Sequence, residues 1–329
     1  MLKDFKPIVV VAGEPNSIFL ELYFKVLKEK KIKNPLILIV SEKILFKQSH
    51  FLKQKIKVKK INVDKIDFKR MNNKQINFID VEYNQANAFK KISTKSKQYI
   101  EKCFEIGLKI LKNHKCAGMV NGPISKKHFL NFKYKGITEY LAKKNNINTE
   151  KVAMLIFNNN LSVCPITTHL PVSKISQNIK REKIISNAKL IDKFFRIYLK
   201  RIPKIAVTGL NPHCETNNKI NEEKQIINPS IRYLQKNKIK IFGPFAADTI
   251  FMKNNIKNFD VVIGMYHDQV LAPIKAIYDF KAINITLGLP FIRISPDHGP
   301  NEKMLGKNKS NYESLYHSIK FFENNVFKS

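Results

Sequence analysis

No apolar run in this chain approaches the roughly 18 to 20 residues needed to cross a bilayer. The N-terminal MLKDFKPIVVVAGEP also lacks the longer apolar core and small-residue cleavage site of a secretory signal. Both absences predict a cytoplasmic protein. Cysteine is scarce, and Cys103, Cys116, Cys164 and Cys214 show none of the paired spacing of a disulfide framework or zinc ribbon, so each reads as a small buried apolar residue. Acidic residues are outnumbered, 26 against 59 lysines and arginines, for a formal net charge of +33. That excess raises the question of a nucleic-acid partner. Yet arginine is sparse, and the lysines run through almost every segment (KVLKEKKIKN, KQKIKVKKINVDK, LAKKNNINTEK) interleaved with Ile and Asn. A nucleic-acid footprint concentrates charge on one face and favours bidentate arginine, so neither nucleic acid nor membrane is expected as a partner. The charge still draws small anions toward a cleft.

What is present is a repeated unit: a short β-branched apolar run, a polar or Gly/Pro exit, then an amphipathic stretch rich in Lys and Leu. PIVVVAGEP leads into NSIFLELYFKVLKEKKI, NPLILIVS into EKILFKQ, CAGMVNGP into ISKKHFLNF, and DVVIGMYHDQ into VLAPIKAIYD. Such alternation predicts an α/β protein with a largely parallel sheet. The chain of 329 residues is long enough for two domains or one bilobed unit with a cleft. Residues 53–75 are more polar and read as a surface excursion with hairpin strands, and INITLGLPFIRIS reads as one near-continuous strand.

In open α/β sheets ligands gather at the carboxyl ends of strands. Three exits deliver a histidine there: LSVCPITTHLP at His169, IAVTGLNPH at His213 and DVVIGMYHDQ at His267. A lone histidine is usually a satisfied structural residue, which is how His50, His114, His128 and His317 are read. Three at equivalent positions suit a divalent ion with coordination places left for substrate, although ligands from distant segments are a weaker signal than a compact HExxH. Lys275 and Arg293 can clamp phosphate or carboxylate, and Asn284 can orient a polar substituent. The first exit, VVVAGEPNSIFLE, has one glycine, too few for a dinucleotide fingerprint; Gly13 reads as turn chemistry. Lys126, in VNGPISKK, stands either at a helix start near a cofactor or in solvent.

Taken in order, GEPNSIFLE, NGPISK, GITEYLA, TTHLP, GLNPH, GPFAADTIF, MYHDQ and NITLGLPFIRISPDHG resemble the 4-hydroxythreonine-4-phosphate dehydrogenase family of pyridoxal phosphate biosynthesis over nearly the whole chain. The resemblance implies a two-domain α/β/α fold of the isocitrate/isopropylmalate-dehydrogenase type, with mostly parallel sheets and an interdomain cleft. It implies one domain from 1–125 plus 290–329, and a second from 126–289 carrying metal ligands and dimer contacts. It further implies a homodimer whose active site is completed by the partner, a divalent ion (Zn, Mg or Co) on His169, His213 and His267, and NAD or NADP as hydride acceptor. Substrate contacts match Thr138, Lys275, Asn284 and Arg293. Asp248, Asp268 and Lys275 match catalytic positions, with Asp268 orienting the site or handling a proton. Asn211, Glu222 and Asp297 are candidates on the cofactor side.

The implied reaction is oxidation of 4-phosphohydroxy-L-threonine followed by decarboxylation to 3-amino-2-oxopropyl phosphate. Three departures stand against the family pattern. Ile137 replaces a histidine that usually touches substrate, residues 214–224 replace a glycine-rich loop without a single glycine, and Pro300-Asn301-Glu302 follows DHG. They motivate an alternative, a paralogue acting on another phosphorylated hydroxy acid such as threonate 4-phosphate. A metal hydrolase is the reading from a different reaction class.

Overall fold

The computed structural model describes residues 5–68, 71–131, 133–134, 136–215, 221–279 and 282–325. The chain opens with β1 (Ile8–Val11), α1 (Phe19–Glu29), β2 (Leu36–Val40), α2 (Glu42–Phe51), β3 (Val58–Lys60), β4 (Ile76–Asp80), α3 (Lys97–Asn113) and β5 (Gly118–Asn121). It continues through α4 (Ile137–Lys144), β6 (Ala153–Phe157), β7 (Ser162–Thr167), α5 (Ile175–Asn178), α6 (Arg181–Tyr198), β8 (Ile205–Thr208) and α7 (Asn228–Lys236). The remainder is β9 (Ile241–Phe245), α8 (Ala247–Ile250), α9 (Lys253–Ile256), β10 (Val261–Tyr266), α10 (His267–Tyr278), β11 (Ile283–Leu287), β12 (Arg293–Pro296) and α11 (Glu313–Asn325). Two compact units result: Met1–Ile137 with Phe291–Ser329, and Thr138–Pro290.

In the first unit the strands run β3-β4-β2-β1-β5-β12, and every pair is parallel. The wholly apolar β1 and β2 are buried along their full length, as expected for parallel strands covered on both faces. Helix α3 covers them with Tyr99, Ile100, Cys103, Phe104, Gly107 and Ile110, the i, i+3, i+4 spacing that gives a helix one apolar stripe. Helix α2 begins where Ser41 accepts the backbone N–H of Ile44, with Glu42 in its first turn, an N-cap that satisfies an otherwise orphaned donor. Residues Lys126–Leu130 form a π-type turn capped by Ser125, and Phe129 stacks 6.1 Å from Phe104 of α3.

The hairpin expected within 53–75 is absent among the described residues. One short strand, β3, lies parallel to β4 at the edge of the sheet, and a parallel pair cannot be joined by a tight turn. Its exposed Lys59 and Lys60 suit an edge that must resist pairing with other chains.

In the second unit the order is β11-β6-β7-β10-β8-β9, with β6 antiparallel to both neighbours and the remaining pairs parallel. INITLGLPFIRIS is therefore not one strand: β11 pairs with β6 in this unit, and β12 pairs with β5 in the first. The break falls at Gly288, whose φ is +89° and where a Cβ would stand 2.2 Å from the Lys151 carbonyl oxygen. Only glycine accepts that backbone and that approach. Helix α10 buries Val270, Leu271 and Ile274 against Val163, Ala206 and Val262 of the sheet. That packing turns Asp268 and Lys275 outward.

Candidate functional site

Strands β7, β10 and β8 are consecutive parallel neighbours, with Val261 of β10 level with Ser162 and Ile205. Parallel strands in register end on the same side, so the three exits carrying histidine open together. His169 follows β7, His213 lies on the turn after β8, and His267 is the first residue of α10. His169 and His213 both hold left-handed backbone, with φ of 56° and 53°, a conformation that costs a non-glycine residue roughly 1 to 3 kcal/mol and persists only where the surroundings impose it.

The rings of His169 and His267 lie 5.7 Å apart between centroids. Two imidazoles sharing one ion at Zn–N distances of about 2.0–2.1 Å have centroids roughly 5 to 6 Å apart, so this pair suits a common ion. His267 Nδ1 meets Asp268 Oδ1 at 2.6 Å. With Nδ1–H donating to that carboxylate, the neutral ring presents the lone pair of Nε2, the carboxylate–histidine arrangement that tunes metal ligands. Among the described residues no group of three or more His, Cys, Asp or Glu stands close enough to hold an ion within one chain. The structure thus brings His169 and His267 together and leaves His213 out of their group.

A polar seam ties the exits beneath these histidines. Thr167 Oγ1 donates to the Met265 carbonyl at 2.8 Å, joining β7 to β10. Gln269, 8% exposed, accepts from Thr208 Oγ1 at 2.8 Å and from the Met265 N–H at 2.7 Å, and donates from Nε2 to the Gly209 carbonyl at 2.8 Å. Beyond β8, Glu223 accepts the backbone N–H groups of Leu210 and Asn211 at 2.8 and 2.9 Å. A Cβ at Gly209 would lie 2.7 Å from Cys214 Sγ and 3.0 Å from Glu223 Oε1, so a larger residue there would displace those side chains. Burial raises the Cys214 thiol above its ordinary range.

The remaining predicted residues divide by neighbourhood. Thr138 and Asn284 belong with β11: Thr138 Oγ1 lies 3.2 Å from Thr286 Oγ1, and alternation along the strand gives Asn284 and Thr286 one face. Asn284 Oδ1 is buried without a hydrogen-bond partner among the described residues. Asp248 in α8 and Lys275 in α10 are exposed. Asp268 and Lys275 are seven residues apart on the helix, which places them on one face about 10 Å apart along the axis.

Arg293 opens β12 instead of following a strand; it is 0% exposed and its Nε donates to Asn121 Oδ1 at 2.6 Å. Of the cofactor-side candidates, Asn211 Nδ2 donates to Glu222 Oε2 at 3.0 Å. Glu222 also accepts from Ser176, which lowers its carboxyl below the ordinary value. The backbone N–H of Asp297 donates to Ser314. Of the glycine-free loop 214–224, residues 216–220 lie outside the described residues. Cys103 and Cys164 are buried as expected, with the Cys164 thiol pushed up to about 12 by burial, while Cys116 and Cys214 are half-buried.

Sequence reasoning passed over Gln269, Glu223 and Glu14. Glu14 is 2% exposed at the end of β1, accepting the Asn16 N–H at 3.1 Å and the Ser96 hydroxyl at 2.9 Å. Burial raises its carboxyl above the ordinary value. A glutamate directly after the glycine of a strand exit was the available signal.

The model of the pyridoxal phosphate biosynthetic protein PdxA family matches residues 31–322. A 4-hydroxythreonine-4-phosphate dehydrogenase of Sulfurihydrogenibium sp. (strain YO3AOP1) is 34% identical over 317 residues, 95% of this chain and 96% of its own. A D-threonate 4-phosphate dehydrogenase of Pectobacterium atrosepticum is 28% identical over 95% of this chain and 97% of its own. The crystal structure of 4-hydroxythreonine-4-phosphate dehydrogenase from Klebsiella pneumoniae superposes with a TM-score of 0.82 at 26% identity, covering 97% of this chain and 98% of that one. Isocitrate dehydrogenase from Methylococcus capsulatus, at 10% identity and a TM-score of 0.50 over 97% of this chain and 85% of that one, shares the fold alone. The architecture is of the isocitrate-dehydrogenase type, and the chain belongs to the family of the pyridoxal phosphate biosynthetic protein PdxA.

Proposed function

We propose that the protein is an NAD(P)-dependent dehydrogenase that oxidises 4-phosphohydroxy-L-threonine to 2-amino-3-oxo-4-(phosphooxy)butanoate, which loses carbon dioxide to give 3-amino-2-oxopropyl phosphate. The observation that carries this reading is the 34% identity to a 4-hydroxythreonine-4-phosphate dehydrogenase over 95% of the chain, together with the predicted histidines at the ends of three adjacent parallel strands. His169, His213 and His267 would hold a divalent ion, whose Lewis acidity would make the substrate alcohol easier to deprotonate. Two of those histidines lie together and the third stands apart within one chain, which supports a homodimer in which a second copy completes the donor set.

The chain's own groups have the following tasks. Asp268 holds the His267 ring and its tautomer. Thr138 and Asn284 orient polar substituents of the substrate, and Lys275 neutralises one of its anionic groups. Arg293 is the candidate for the other and must be uncovered from its seat on Asn121 to reach it. The alcohol proton passes from oxygen to an exposed carboxylate, Asp248 or Asp268, while hydride leaves the carbon bearing that oxygen for the nicotinamide ring. Asn211, Glu222 and Asp297 are proposed on the cofactor side.

The test is steady-state formation of reduced nicotinamide from 4-phosphohydroxy-L-threonine, with and without a chelator. Absence of reduced cofactor at saturating divalent ion refutes the reading. A second reading, oxidation of threonate 4-phosphate, is favoured by Ile137, which is half-buried at the start of α4 and has no side-chain donor, and by the 28% identical relative. Comparing kcat/KM for the two substrates in wild type and Ile137→His separates them. Under the leading reading, histidine raises kcat/KM for the amino substrate by roughly tenfold, the worth of one charge-assisted hydrogen bond.

A further inference from the structure

Gln269 touches the backbone of both the β8 and the β10 exits through the seam described above. Its orientation is dictated by its partners. Oε1 faces an amide N–H and a hydroxyl, and Nε2 faces a carbonyl, so a flipped amide would set donor against donor and acceptor against acceptor. The tether on Gly209 lies at the root of the turn that carries His213, and the tether on Met265 lies at the root of His267. Glu223 grips the same turn from its other side through the Leu210 and Asn211 amides. A left-handed His213 followed by a left-handed Cys214, with φ of 53° and 61°, is a conformation that a free turn would abandon.

We propose that Gln269 is a positioning residue that fixes the backbone of the His213 turn and of the His267 exit on each chain, so that each chain offers both imidazoles in set places, to be met at a divalent ion by those of its partner. The inference rests on the metal-dependent reading above. It separates Gln269 from the bland role of a satisfied core amide, because a core amide would contribute to stability and leave ligand affinity alone. Gln269 acts through backbone at Gly209 and Met265.

The experiment compares wild type, Gln269→Glu, Gln269→Leu and Val270→Ala, using Co(II) as the probe. Affinity is read by competition with a chromophoric chelator and ligand geometry by the visible d–d bands, with thermal unfolding recorded alongside. Gln269→Glu keeps both acceptor contacts and sets a carboxyl oxygen in place of the donor against the Gly209 carbonyl, so it breaks that tether at unchanged size and remains informative should Gln269→Leu fail to fold. Val270→Ala loosens α10 from its apolar side without touching the seam. The expected result is a loss of Co(II) affinity of about 10–100-fold in Gln269→Glu, the range for groups that orient metal ligands, with altered d–d bands. Val270→Ala should bind as wild type despite a lower Tm. Wild-type affinity and bands in Gln269→Glu overturn the proposal while leaving the functional reading intact. A wild-type protein that binds no Co(II) overturns both.

Discussion

Asn284 offers the sharpest separation of stability from function. Its Oδ1 is buried with no partner among the described residues, and a buried acceptor left unsatisfied costs about 1 to 3 kcal/mol. Replacing Asn284 with leucine removes the acceptor but adds two bulkier methyl groups, an overpacking cost of about 1 to 3 kcal/mol where the site is packed. The two effects are of similar size and opposite sign, so Tm should move by no more than a few degrees at about 2–4 °C per kcal/mol. On the proposed role of Asn284 the same change deletes a hydrogen bond to a charged substrate donor, worth about 1.5 to 3 kcal/mol, so kcat/KM should fall by roughly 10- to 150-fold. Thermal unfolding and steady-state reduction of the nicotinamide measure the two effects on one preparation. A lower Tm with unchanged kcat/KM would refute the reasoning, since it would mean that Oδ1 serves the fold and faces no ligand.

Two further perturbations follow from the same chemistry. Asp268→Asn removes the charge that orients His267, and Co(II) or Zn(II) affinity should fall by about 10–100-fold in a chelator competition; an unchanged affinity would show that the 2.6 Å contact is incidental. Burial holds the Glu14 carboxyl above its ordinary pKa in the folded chain, so the folded chain keeps a proton that the unfolded chain has released. Stability therefore falls as pH rises from about 4.5 toward the folded value and stays lower above it. Glu14→Gln should flatten that fall, gaining on wild type in Tm as pH increases. A variant whose Tm tracks wild type in parallel across that range would contradict the burial argument.

The alternation of strands and helices was legible because apolar runs such as IVVV and LILIV are short, β-branched and followed at once by amphipathic stretches. The three histidine exits were legible for the same reason, each standing where such a run stops. That β10 lies between β7 and β8 was not legible, because hydrogen bonds between distant strands leave no mark on local sequence. The run INITLGLPFIRIS concealed its break, since both halves are equally apolar and only Gly288 and Pro290 mark the bend. Gln269 and Glu223 escaped notice because their partners are backbone carbonyls and amides, which every residue possesses. The burial of Arg293 beneath Asn121 depends on a strand pairing more than 170 positions apart in sequence, beyond the reach of any pattern argument.

The return of β12 and α11 to the first unit governs the order in which this protein is completed during synthesis. The stretch Thr138–Pro290 is continuous and has all its strands once it leaves the ribosome, so it folds as a unit. The first unit, although made earlier, waits with the β5 edge unpaired until residues 293–296 arrive to cover it. During that interval a bare parallel edge, whose Met119 and Val120 lack their partners Arg293 and Ile294, is open to pairing with other nascent chains. The half of the molecule translated first is the half finished last, and a ribosome stalled near Pro290 leaves it the more exposed to aggregation and proteolysis.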